Sequence, residues 1–153
     1  MFMPSSRTVQ QLNRLIRTCR NGEVNCCAWS GAAESEELRG LLLERSEEWA
    51  RQADELQALV LLFGGRPASL GSWTGHLLAA WIELKSALLG RNDLPVLLDW
   101  EHAQRGAMRR YRHALEGRLP ERIRRTVTLQ AQRLYTHQHL LEELCGRFNA
   151  LSR

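Results

Sequence analysis

The feature that most constrains this chain is a pair of 3-4 spaced stripes over about its last sixty residues, apolar apart from a few polar members. One stripe runs Leu94, Leu97, Glu101, Gln104, Met108, Tyr111, Leu115. The other runs Ile123, Val127, Gln130, Leu134, His137, Leu141, Leu144, Phe148. This spacing puts every member of a stripe on one face of a helix. Most members are apolar, so the face is predicted to be buried, and Glu101, Gln104, Gln130 and His137 with it. A charge in a core is costly unless it is paired or holds a metal. The stripes therefore predict a helical bundle, and their exceptions predict a polar layer inside it.

Two more long helices precede these. The first is predicted over 6–32, on the stripe Val9, Leu12, Ile16, Cys19, Glu23, Cys26, Ser30. The second starts near Ser35 and carries Leu38, Leu42, Arg45, Trp49, Gln52, Leu56, Leu59 and Phe63. Glu36 and Glu37 suit the positive end of its dipole, and Gly64-Gly65 followed by Pro67 stops it. A shorter helix over 73–89 is apolar around a wide arc, with Trp73, Leu77, Trp81, Leu84 and Leu88 flanked by Leu78, Ile82 and Leu89. Such a helix needs two surfaces to pack on, here the bundle and a second subunit, so a homodimer through 73–89 is expected. Asp93 is the expected N-cap of the third bundle helix, which tolerates Pro95 in its first turn, and 117–120 turn the chain into the fourth. No strand periodicity competes, and residues 1–153 read as one all-α domain.

Heights along the bundle axis decide which polar residues meet. Glu23 lies ~17 Å from the first tight turn, level with Arg45 and Glu48. Glu101 lies ~26 Å from the second turn, level with Thr136 and His137. In an up-down-up-down bundle these two layers would miss by about 9 Å. If residues 64–92 cross the whole bundle, the layers merge, because the two distances sum to the length of a helix of about 28 residues. A helical crossover between the second and third helices, as in ferritin-like folds, is therefore the expected topology.

That merged layer invites comparison with carboxylate-bridged di-metal centres, which take a Glu from each of two helices and Glu-x-x-His from each of the others. Glu23 and Glu101 fit the single-Glu positions, Glu48 stands at the edge of its stripe, and His137 fits one histidine. Leu134 occupies the place of the last carboxylate and Arg51 that of the second histidine. Two readings follow. Either Glu23, Glu48, Glu101 and His137 form a partial iron or zinc site, or Arg45 neutralises Glu23 while Gln52, Glu101, Gln104, Gln130 and His137 share a hydrogen-bonded network that fixes helix register.

Composition narrows the remaining classes. Hydrophobic content of 44% and charged content of 25% are ordinary for a soluble globular protein. No stretch is long enough to span a membrane and Met1 to Gln10 lacks the apolar run of a secretory signal, so a cytoplasmic protein is expected. The formal charge is +4 and Lys85 is the only lysine. The arginine cluster of Arg105, Arg109, Arg110 and Arg112, with Arg118, Arg122, Arg124 and Arg125 across the turn, is a basic footprint. It lacks a helix-turn-helix or exposed aromatics and is diluted by Glu101, Glu116 and Glu121, so nucleic acid is not the expected partner. The four cysteines form no C-x-x-C pair and read as core thiols in a reducing compartment. No nucleophilic triad or phosphate-cradling loop supports hydrolysis.

The segments Leu12 to Glu23, Gly64-Gly65-Arg66-Pro67, Gly71-Ser72-Trp73-Thr74-Gly75, Trp81 to Gly90 and Tyr111-Arg112-His113-Ala114-Leu115 resemble, in order, a bacterial family of ferritin-like four-helix-bundle proteins of unknown function. The resemblance implies a ferritin-like bundle, a link with stress responses and no established activity. Family members commonly carry an acidic residue where Gln104 stands, after a glycine where Ala103 stands. That departure removes a potential metal ligand here. The expectation is thus a non-enzymatic bundle with a degenerate di-metal core, the alternative being a metal-binding or redox protein.

Overall fold

The computed structural model describes residues 6–69, 80 and 93–151. Four long helices form an all-α bundle: α1 (Ser6–Ala32), α2 (Glu36–Leu62), α3 (Asp93–Glu116) and α4 (Glu121–Leu151). Helix α1 packs on α2 and α3, and α4 packs on the same two, so α1 and α4 are diagonal. Leu12, Leu42, Leu56, Leu97, Ile123 and Leu134 are fully buried between them. No helix of the described residues is long and apolar enough to cross a membrane.

The ends of the helices establish the crossover. At one end, the Asp93 carboxylate accepts hydrogen bonds from the backbone N–H of Glu34, at 2.6 Å, and of Ser35. The start of α3 therefore sits on the α1–α2 turn. At the other end, α2 closes with Gly64 at φ 77°, a left-handed conformation that glycine adopts without a Cβ penalty. Gly65 N–H bonds to Val60 O and Gly64 N–H to Leu61 O, which satisfies the last carbonyls of α2. The Asn13 side chain then pins this segment to the start of α1, accepting from Ala68 N–H and donating to Arg66 O. The end of α2 and the start of α3 thus lie at opposite ends of the bundle. The helix expected over 73–89, and with it the expected dimer face, lies outside the described residues except for Ala80.

Capping is mostly local and follows from residue type. Ser35 is extended and its side chain accepts from Leu38 N–H, as an N-cap should. Arg124, placed in the basic cluster by sequence, instead reaches across the second turn, and its guanidinium donates to Leu115 O and Gly117 O. It thereby satisfies the exposed carbonyls at the negative end of α3. Gly22 does not break α1 but lets α2 come close, since a Cβ there would stand 2.6 Å from the Trp49 indole.

Candidate functional site

The eight stripe positions named for α2 are buried apart from Phe63, and Gln104 and Gln130 are buried as expected, at 2% and 0% exposure. The four candidate metal ligands are not. Glu23, Glu48, Glu101 and His137 keep 19% to 34% of their side-chain surface exposed. They stand at the edge of the buried face, which on α3 runs through Leu97, Trp100, Gln104, Ala107, Tyr111 and Ala114, so Trp100 and Ala107 take the core positions one residue before Glu101 and Met108.

These four residues do not converge. Glu23 pairs with Arg20 on its own helix at 3.0 Å, and Arg20 continues to Asp54 and Gln57 on α2. Glu101 pairs with Arg105 at 2.5 Å. The structure does bring Glu48 and His137 together, with Nε2 of His137 3.0 Å from Oε2 of Glu48. The expected Arg45–Glu23 pair is absent. Arg45 donates to that same Glu48 oxygen, and its guanidinium lies over the Trp49 ring, 5.6 Å from its centre. Glu23 is at the expected height, as Ser46 donates to its backbone carbonyl, but its side chain turns outward to Arg20. Among the described residues no group of three or more His, Cys, Asp or Glu side chains is arranged to hold a metal ion.

Electrostatics in the Arg45–Glu48–His137 cluster are set by burial. Desolvation lowers the Arg45 pKa, with Glu48 opposing it. Burial and then the Arg45 charge also push His137 below the ordinary histidine value, although Glu48 pulls the other way. Burial and the Arg45 charge thus favour the neutral imidazole, which donates Nε2–H to the Glu48 oxygen that Arg45 also engages.

The layer that does join all four helices lies nearer the other end and is uncharged at its centre. The Cys19 thiol of α1 is 3.1 Å from the Tyr111 hydroxyl of α3. Tyr111 donates to Oε1 of Gln130 on α4 at 2.7 Å. Gln130 in turn donates from Nε2 to the Gln52 carbonyl and to Glu55 of α2, and Arg133 stands 3.7 Å from Glu55 at the surface. Gln104 donates separately to Leu134 O at 3.1 Å. Sequence reasoning had Gln52, Gln104 and Gln130 in a network but read Cys19 and Tyr111 as plain core. The signal was available, since a tyrosine on an apolar stripe brings a hydroxyl that must find a partner when buried. Burial pushes the Cys19 thiol up to about 12 and the Tyr111 hydroxyl well above its ordinary range, so both stay protonated.

The buried thiols Cys26 and Cys145 are likewise pushed up, to about 12 and about 11, first by burial. Cys27 alone is exposed. A thiol reagent is therefore expected to modify only Cys27 in the native protein and the other three thiols only on unfolding; rapid modification of all four by mass spectrometry would contradict this.

A second feature is a groove between α1 and α3. Two adjoining cavities, of about 380 and 470 Å³, share Thr18, Asn21, Gly106, Arg109 and Arg110. Trp29, Trp49 and Trp100 line the inner one, and Arg14, Arg17 and His113 the outer one. The groove has a sequence signature overlooked above: Gln11, Arg14, Thr18, Asn21 and Asn25 form a polar stripe at 3-4 spacing beside the apolar one.

Comparison with known proteins adds one assignment. No curated protein matches the chain. The model of a domain of unknown function, DUF2383, matches residues 7–117. That span contains α1 from its second residue, α2 and α3, and so holds both walls of the groove, the Arg45–Glu48 pair, and Cys19, Gln52 and Tyr111 of the central layer. With most of its length and three of the four described helices inside that match, the chain belongs to the DUF2383 family.

Proposed function

We propose that this chain is a non-enzymatic, stress-associated ferritin-like bundle in which hydrogen bonds between neutral side chains hold the helices where related architectures use a di-metal centre. The observation that supports this reading most is the Cys19–Tyr111–Gln130–Gln52 layer. It links four helices through a protonated thiol, a protonated phenol, an amide and a backbone carbonyl. Two cations need several anionic oxygens, and this layer offers one carboxylate, that of Glu55, which Gln130 and the nearby Arg133 already engage. The stress association comes from the family resemblance.

The alternative, an iron- or zinc-binding protein, draws support from one contact, that of Glu48 with His137. Metal analysis of protein purified without chelators separates the two. The expected result is well below one metal per chain. Stoichiometric iron or zinc that disappears in His137→Ala would overturn the proposal.

A further inference from the structure

Arginines beside the α1–α3 groove are paired, whereas those that line it are not. Arg20 donates to Glu23, Asp54 and Gln57, Arg105 to Glu101, and Arg112 to the Tyr135 hydroxyl. Arg14 and Arg17 of α1 and Arg109 and Arg110 of α3 line the outer cavity, and none of these four side chains has a hydrogen bond or ion pair among the described residues. No Asp or Glu lines either cavity. The one ion pair of an outer lining residue, among the described residues, is that of His113 with Glu116 at 3.9 Å. A cleft whose walls carry one sign of charge concentrates ions of the other.

The floor of the groove carries a second signal. Gly106 belongs to both cavities and lies in the interior of α3, where glycine is unfavourable. Nothing in the backbone or the packing requires it. Its φ is not positive, and a Cβ there would make only ordinary contacts, 3.6 Å from Nη1 of Arg110 and 3.8 Å from Nη2 of Arg109. Both guanidiniums thus fold over the one place on this wall where no side chain stands. A glycine so placed suits the close approach of a ligand to the backbone.

We propose that this groove binds a diphosphate group, as the free anion or on a small ester. The group sits over Gly106, with Arg14 and Arg17 on one wall and Arg109 and Arg110 on the other. Guanidinium pairs with phosphate oxygens two at a time, and the Gln11 and Asn21 amides add neutral donors. Four unpaired cations favour a dense anion, and diphosphate carries about twice the charge of one phosphate, itself about −1.5 to −2 at pH 7. A nucleic-acid strand fits less well, because its bases need exposed aromatic faces to stack on. Trp29, Trp49 and Trp100 of the inner cavity are at most 7% exposed.

Calorimetric titration of the full chain with inorganic diphosphate and with isopentenyl diphosphate, at low ionic strength, tests this. One site per chain with a Kd of about 100 μM or below is expected, and orthophosphate is expected to bind at least about tenfold more weakly. The tighter of the two diphosphates identifies the source of the group, and equal binding means that the group alone is read. Arg109→Ala/Arg110→Ala is expected to keep the circular dichroism and thermal midpoint but weaken binding by about tenfold or more. Arg122→Ala/Arg125→Ala removes the same charge from exposed positions outside the groove, and is expected to leave binding within about twofold. Gly106→Leu leaves the charge unaltered and favours the helix, yet is expected to weaken binding about tenfold by filling the floor. No binding of either diphosphate at about 1 mM would overturn the proposal. So would an equal loss in the two arginine pairs, unchanged binding in Gly106→Leu, or a single-stranded oligonucleotide that binds more tightly than diphosphate through Arg109 and Arg110.

Discussion

Replacing Glu48 by alanine is expected to destabilise the bundle by about 3 kcal/mol, more than any other single surface-edge change, because it breaks a pair whose cation is buried. Arg45 is 4% exposed, its Nε has no partner, and its one paired carboxylate is Glu48. Without Glu48 the guanidinium keeps its desolvation cost and retains only the contact with the Trp49 ring. His137 loses its partner in the same step. Arg45→Met together with Glu48→Ala is expected to return to within about 1 kcal/mol of the parent, since an apolar side chain of similar length suits the site better than an unpaired cation. Urea unfolding measures both. A double variant as unstable as Glu48→Ala alone would show that the pair is not what the position requires.

The second large effect is expected at Tyr111. Tyr111→Phe keeps the ring and removes one oxygen, and it is expected to cost about 1–3 kcal/mol. The loss leaves the Gln130 carbonyl and the Cys19 thiol facing each other in a layer closed to water. Adding Gln130→Leu is expected to cost less than the sum of the two single changes, because the second substitution removes a group that the first had already orphaned. Strict additivity in the cycle would mean that the two side chains do not act as a unit.

The residues that sequence placed well and those it misplaced differ in physical kind. Periodicity located the four helices and nearly all of the α2 stripe, because burying an apolar face is a local property that repeats every turn. The crossover was legible for a related reason, as both tight turns could be located and heights counted from them. The heights were less accurate on α3 and α4. Tyr111 lies about six residues before the second turn and Gln130 about ten after it, yet they bond, so α4 starts about 6 Å below the end of α3. Counting from a turn assumes equal starts, and that error put Glu101 level with His137 instead of higher, beside Cys145, whose thiol it contacts.

Partner choice was the least legible. Arg45 had carboxylates at the same height on two helices and took the one on its own helix. Asp93 was expected to cap the helix it begins, but its carboxylate serves the start of α2, in a contact between residues 58 and 59 positions apart. No spacing rule reaches across such a distance. The inner cavity was only half legible, since its polar wall is a 3-4 stripe on α1 while its three tryptophans come from three different helices.

On the function proposed above, side-chain hydrogen bonds and not a metal hold the polar core. Thermal unfolding in the presence of a chelator, and then with iron(II) or zinc(II) in excess, tests it most directly. A metal bound only by the native state at one hundred times its dissociation constant adds about 2.7 kcal/mol of stability. The expected result is one thermal midpoint under all three conditions. A midpoint that rises by several degrees with either metal, and no longer does so in His137→Ala or Gln130→Leu, would contradict the account.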